Sequence, residues 1–464
     1  MTTSFRYARR ALSTLASCAS VVLFAASPAN AQPGEVDPDS GLLMVTVGDP
    51  GAPGDPSAGL GAVTRPFRVG VYEVTNTEYV ELLNAVAATD THGLFDENLM
   101  TDSDRGGILQ SGSSGNHSYT TKPDFDDKPA NGMTWYDAAR FVNWLENGRP
   151  SGAQGATTTE DGTYDLSLAG GAITRRVGAR YFLPTLDEWH KAAYHDPFDP
   201  AADAGGTIDW WIYPTRGDTL PLKADADASG DVVNPGDQVA NHDKGAGWNG
   251  ESSNVTTVGG CGNTSAWGTA DMGGNVNEMT ETPGTPIPPN PPGQPESLPT
   301  RRLRGGDFSN TGVLMGSAEF LAGNLNMLAD GANVGFRVAS VETWYDLGGA
   351  LAGTLGEPLL DGLGFAVDGE PVTIELSSAR PLSTGTLVLG ATALQVPFKG
   401  GLLVPSPDAV FGGLPIAADG TLTLTGPWPA GLPPATSIVL QIWIDDDAAP
   451  QGLAASNGLL VSTP

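Results

Sequence analysis

Gly273-Gly274-Asn275-Val276-Asn277-Glu278, then Arg304-Gly305-Gly306-Asp307-Phe308, then Gly335-Phe336-Arg337 is the run of motifs that decides how this chain is read. The first of them lies within a region, from about 200 to 300, that is long, polar and poor in periodic pattern. A compact domain tolerates that much irregular backbone only where something organises it, and a bound metal ion is one such device. The glycines permit the tight backbone that turns carbonyls inward.

Upstream, residues 32 to 63 are rich in Gly, Pro and Asp around a strand candidate, Leu42 to Val47. Phe67 to Tyr72 alternates as a strand does, and Thr75 or Asn76 then caps a helix whose apolar face holds Tyr79, Leu82, Leu83 and Val86. Thr134 precedes a second helix through Trp135, Phe141, Trp144 and Leu145, ended by Gly148-Arg149-Pro150. Tyr181 to Tyr194 reads as strand, Thr185 cap and helix, with Glu188 at capping-box spacing. Residues 88 to 128 read as a polar loop region, and the proline-rich 283 to 299 as an exposed loop.

After Val341 the character changes. Residues 343 to 464 carry two basic residues, Arg380 and Lys399, and alternate short apolar runs with Gly, Pro and Asp turns. Val372 to Leu376, Gly385 to Leu389, Gly420 to Leu424 and Ser437 to Trp443 predict an antiparallel β-sandwich, an accessory or adhesion module without a catalytic constellation. The expected layout is a leader at 1–31, an N-terminal segment at 32–63, a principal domain at 64–342 and the sandwich at 343–464.

Composition bounds the function. With 53 acids against 23 Lys and Arg, the net charge of −30 repels nucleic acid and anionic membranes. Arg6, Arg9 and Arg10, the apolar Ala11 to Ala26, and Ala29-Asn30-Ala31 have the form of a secretory leader cleaved after Ala31. The expectation is a secreted or periplasmic protein with no membrane span. Cys18 lies in the leader, which leaves Cys261 without an internal disulfide partner and reads it as a buried thiol. Arg216-Gly217-Asp218 is three residues long and carries little weight as an adhesion signal.

Joined by Val71 to Asn76, Pro129 to Leu145, Leu183 to Trp189 and Tyr213-Pro214, the motifs resemble the formylglycine-generating enzyme (sulfatase-modifying factor) family across about 64 to 340. The resemblance implies an α+β fold, irregular and C-type-lectin-like, that holds calcium. It also implies a pair of thiols after the Arg-Gly-Gly, which oxidises a sulfatase cysteine with copper and oxygen. Counted from Gly306, those places hold Asn310 and Met315, which cannot supply two soft thiolates, and Cys261 matches neither. Formylglycine-generating activity, copper and catalytic residues are therefore not expected. Asp307 stands where the family commonly has Ser, and its charge suggests a groove for a cationic or hydroxyl-rich ligand.

The family's calcium register falls on Asp271, the Gly274 and Val276 carbonyls, and Glu278. A second site would use Asn241 and His242 but lacks its downstream Asp. Asp225 to Asp231 starts like a calcium loop, yet Gly236 stands where the closing carboxylate belongs, so it reads as a solvated acidic loop. Relatives that work with non-haem iron bind it through histidines. His190 and His195, five residues apart, are read here as exposed or helix-terminal. The leading expectation is a secreted, calcium-stabilised binding protein for an extracellular glycan or protein. The alternatives are an enzyme using iron or another metal on the same scaffold, and a sulfatase activator.

Overall fold

The computed structural model describes residues 34–168, 170–199, 209–286, 299–319, 324–341, 343–433 and 436–463. The expected leader and the middle of the proline-rich 283–299 segment lie outside them. The fold is mostly β, with three α-helices among the described residues: α1 (Asn76–Val86), α2 (Trp135–Glu146) and α3 (Leu186–Tyr194).

All three helices begin alike. Thr75, Thr134 and Thr185 are extended N-caps whose hydroxyls accept the N–H three residues on. Glu78, Asp137 and Glu188 return the bond to the cap N–H at 2.8, 2.9 and 2.8 Å. Two donors orphaned at each helix start are satisfied in this way. α1 and α2 pack Tyr79, Leu82 and Leu83 with Trp135, Phe141, Val142 and Phe336 in one core. α3 packs Trp189, Ala192 and Ala193 against Val45, Phe67, Val69 and Ala339 in a second.

Strand pairing brings the ends of this region together. A five-stranded sheet runs in the order Glu35–Val36, Leu43–Val47, Phe67–Gly70, Ala339–Val341, Tyr181–Phe182. The pairing Ala339↔Val69 closes the region on itself, and Val45↔Val69 joins the N-terminal segment to the same sheet. A second sheet runs Asn324–Asn326, Thr300–Arg304, Asn277–Pro283, Val334–Gly335. Its register sets Arg304 and Gly335 on either side of Glu278, so the three motifs that opened the sequence reading lie side by side.

Between Asp209 and Asn277 regular structure is limited to two-residue strands and isolated bridges. Buried amides organise this backbone. Asn241 Nδ2 donates to the Asn254 carbonyl (2.9 Å), Asn275 Oδ1 accepts the Thr256 N–H (2.9 Å), and the Trp248 indole donates to the Val255 carbonyl (2.7 Å). Residues 88 to 128, expected as loop, carry a hairpin of Ile108–Ser111 and Ser118–Thr121. Its short strands bury few apolar side chains, Ile108 and Tyr119 among them, too few to show as a periodic pattern. Both amide atoms of Asn84 on α1 bond the Tyr119 backbone at 2.9 Å.

Residues 343–463 form strands and one 3₁₀ turn among the described residues. A six-stranded sheet contains Ser437–Asp445 and Thr384–Gly390 at its centre, and a three-stranded sheet contains Leu359–Leu363, Pro371–Ser377 and Leu422–Pro427. Leu360, Val372 and Leu376 of the smaller sheet share a core with Leu440, Ile442 and Leu459 of the larger. Phe365 packs against the α3 core and lies 5.0 Å from the Arg180 guanidinium, joining the two regions. No helix of the described residues is long and apolar enough to cross a membrane.

Thr185→Ala removes one cap bond and is expected to lower stability by about 1 kcal/mol in urea denaturation. Glu188→Ala is expected to cost more, because Glu188 also receives Arg175 at 2.8 Å.

Candidate functional site

The three motifs converge on a buried charge cluster. Arg337, fully enclosed, donates from Nε to Glu278 Oε2 (2.6 Å) and from Nη2 to Oε1 (2.5 Å). The Trp189 indole adds a second bond to Oε2 at 2.8 Å. The remaining guanidinium hydrogens reach the carbonyls of Gly70 (2.9 Å), Val71 (3.1 Å) and Ala270 (3.0 Å). Asp271 and Glu73 are buried nearby. Asp271 accepts the Gly259 N–H and bonds the Cys261 thiol. Glu73 accepts the Asn275 amide on Oε1 at 3.2 Å, and its Oε2 has no partner.

Three carboxylates thus surround one guanidinium, and their pKa values respond. Burial, then Asp271 and Glu278, push Glu73 well above the usual carboxylate range, with Arg337 opposing. Burial raises Asp271 to about 6 against the Gly259 N–H and Arg337. Burial, Asp271 and Glu73 hold the Cys261 thiol well above its ordinary value, so it is a protonated, enclosed thiol and a poor nucleophile.

Asp271 and Glu278, expected as calcium ligands, both belong to this cluster. Gly274 sits at φ +87°, where a Cβ would come 2.3 Å from the Asn241 carbonyl oxygen, so only glycine fits. Val276 is buried with Phe125, Trp248, Val255 and Phe308. The excess of carboxylate over guanidinium and the all-oxygen donors suit a hard cation. Glu278 Oε2 already takes two donors, so a cation reaching Glu278 would share Oε1 with Arg337. Among the described residues no three His, Cys, Asp or Glu side chains form a metal-holding group. Asn241 Oδ1 is buried without a partner, while His242 bonds the Pro221 carbonyl at 3.0 Å. In the acidic loop, Asp227 Oδ1 accepts the Ser229 and Asp231 N–H groups, and the Lys128 ammonium stands 3.9 Å from Asp231. Arg216 turns to Asp196 at 3.2 Å.

The expectation for Asp307 is overturned. It is fully buried and saturated: Oδ1 accepts Ser309 N (2.8 Å), Ser309 Oγ (2.6 Å) and Asn310 N (3.1 Å), and Oδ2 accepts the amides of Asn277 (2.5 Å) and Asn333 (2.7 Å). It staples the loop and offers no charge to a groove. Of the two family thiol positions, Asn310 accepts the Asp307 N–H at 3.3 Å, and Met315 is buried with its carbonyl bonded by Tyr194 Oη at 2.8 Å.

The histidine reading is corrected as well. His195 does terminate α3, but it is buried between Trp210 and Trp267, and His190 lies buried within the helix. His190 Nε2 meets Asp55 Oδ2 at 3.1 Å and Nδ1 meets the Arg304 guanidinium at 3.1 Å. Arg304 can only donate, so His190 is neutral with its proton on Nε2. Burial lowers its pKa to about 4 despite Asp55, and burial with Lys191 lowers His195 to about 3. Both rings pack against Trp210, with centroids 5.4 and 4.7 Å away, but their nitrogens turn to different groups: Asp55 and Arg304 for His190, and Asp49 for His195. Sequence reasoning missed Glu73 and the role of Arg337. Each is a charge set between apolar neighbours, Tyr72 and Val74 for one, Phe336 and Val338 for the other, and that placement was the available signal.

Residues 33–341 match the family described as sulfatase-modifying factor enzyme 1-like domain. No curated protein matches the chain. Three solved structures are similar. The crystal structure of CarF is 18% identical, covering 64% of this chain and 98% of that one, with a TM-score of 0.37. PvdO from Pseudomonas aeruginosa is 18% identical, covering 67% and 99%, at 0.34. Treponema denticola variable protein 1 is 15% identical, covering 64% and 95%, at 0.33.

Arg337→Met leaves three carboxylates without their cation and is expected to destabilise by roughly 3–5 kcal/mol in chemical denaturation. His190 has a folded-state pKa below its unfolded value of 6.5, so its contribution is present above pH 6.5 and lost as pH falls toward about 4. The full shift is worth roughly 3 kcal/mol. Melting temperature is expected to fall across that window, and His190→Gln to flatten the fall.

Proposed function

The chain belongs to the family of sulfatase-modifying factor enzyme 1-like domains, and from that premise we propose that it is a member without formylglycine-generating oxidase activity, exported and acting as a calcium-stabilised binding protein. The observation that carries this reading is the pair of thiol positions. Asn310 is tied into the Asp307 turn and Met315 is buried, while Cys261 is enclosed, protonated and engaged with Asp271. A two-thiolate copper centre has no ligands there.

Calcium, in this reading, is a structural ion at Asp271, the Gly274 and Val276 carbonyls and Glu278, offsetting the excess charge of the buried carboxylates. Residues 1–31 act as the leader, and 343–464 form a β-sandwich module whose two sheets share one core. Irregular loops on the first domain and the module's surface then serve an extracellular glycan or protein ligand, a role that rests on fold-level analogy.

Incubation with a cysteine-containing sulfatase peptide, copper and oxygen is expected to leave the peptide mass unchanged; conversion of cysteine to formylglycine would overturn the reading. Thermal melting in millimolar calcium is expected to lie several degrees above melting in chelator, as for any ion that binds only the folded state. Identical melting curves would remove calcium from the account.

A further inference from the structure

Glu73 Oε2 is a buried oxygen that the charge cluster leaves without a hydrogen-bond partner. Glu73 is 1% exposed, and its other oxygen, Oε1, accepts the Asn275 amide at 3.2 Å. A carboxylate oxygen closed off from water with no donor to accept from is costly, and in a native fold it calls for an explanation. Asn241 Oδ1 is in the same condition, and its amide belongs to the same network, since Asn241 Nδ2 donates to Asn275 Oδ1 at 3.2 Å. Asn275 itself stands between Gly274 and Val276, two buried residues whose carbonyls accept no backbone N–H among the described residues.

Charge divides the cluster in two. Glu278 gives both oxygens to Arg337, at 2.6 and 2.5 Å, and its Oε2 also takes the Trp189 indole at 2.8 Å. That pair is neutral as a unit, and its bidentate geometry occupies the carboxylate. Glu73 and Asp271 remain as two acids without a base of their own, and Asp271 is the charge that acts most strongly on Glu73. Two carboxylates match one divalent cation, and carbonyls beside them extend an all-oxygen set of the kind calcium takes. A site of two acids needs no third. This agrees with the absence, among the described residues, of a metal-holding group of three His, Cys, Asp or Glu side chains.

On the calcium reading given above, and changing one ligand in it, we propose that Glu73 rather than Glu278 is the second carboxylate of the site. The ion takes Glu73 Oε2 and Asp271 with the Gly274 and Val276 carbonyls, while Glu278 stays with Arg337. The orphaned oxygen then has its partner, and neither hydrogen bond of the buried ion pair has to be given up. Glu73 and Asn275 are 202 residues apart in the chain. With Glu73 as a ligand, calcium clasps the segment that follows Phe67–Gly70 to the 271–276 loop, whereas with Glu278 both acids would come from one stretch.

Equilibrium dialysis of the purified, chelator-treated chain against calcium tests the assignment. Stoichiometric binding is expected, weakened at least tenfold in Glu73→Gln, which keeps the shape of the side chain and removes its charge. Circular dichroism in chelator checks that this variant folds. A second measurement needs no variant: on the unsubstituted chain, calcium is expected to slow hydrogen exchange at the amides of 71–74 together with those of 271–278. Equal affinity in Glu73→Gln overturns the assignment and leaves the ion on Glu278, and so does slowing confined to 271–278. An unsubstituted chain that binds no calcium removes the ion altogether, and this ligand with it.

Discussion

The bidentate pair between Arg337 and Glu278 is the constraint on which the rest of the first domain depends. Neither group touches water, so each must find its bonds inside the fold. Arg337 finds them on Gly70 and Val71 near the start of the domain, on Ala270 in the irregular region and on Glu278 at the head of a strand. A buried ion pair is weak as a source of stability, because desolvation offsets the attraction, but removing one member strands the other. Here the pair specifies which segments meet. The sheet that joins Phe67–Gly70 to Ala339–Val341 and the one that seats Glu278 between Arg304 and Gly335 are both consistent with that demand.

Much of the scaffold was legible because it is local. The Thr185 and Glu188 cap lies within four residues of chain and was read as such, and Thr134 and the choice of Thr75 or Asn76 marked the other two helix starts, although the acids that close those caps, Asp137 and Glu78, emerged only in the structure. Gly274 could be marked as special because only the smallest residue tolerates its backbone. What stayed hidden depends on distant partners. Asp307 reads as a surface charge until Asn277 and Asn333 come to it from elsewhere in the chain. His190 reads as polar until Asp55 and Arg304 close on either side of the ring. The 108–121 hairpin escaped because a short strand pair with few buried apolar residues leaves almost no period to find.

The long stretch without regular structure has a physical account that does not require many hydrophobic residues. Backbone groups outside helices and sheets still need partners when buried. Asn241, Asn254, Asn263 and Asn275 are buried, and each donates its side-chain amide to a carbonyl, in most cases one within or beside the loops that hold them. An amide side chain offers both a donor and an acceptor, so it can replace a missing strand neighbour. This explains how a chain of modest apolar content keeps such loops in place, and why the polar composition of 200–300 gave no hint of burial.

The pairing of Arg337 with Gly70 spans 267 residues of sequence. Contacts of that separation make for slow folding, because a large loop must close before they form. During synthesis, which runs from the N-terminus, Glu73, Asp271 and Glu278 all leave the ribosome before the guanidinium that compensates them. The domain thus mixes two ranges of constraint: each helix start is closed by a cap four residues long, whereas the core around α3 is complete only when Ala339–Val341 pairs with Phe67–Gly70.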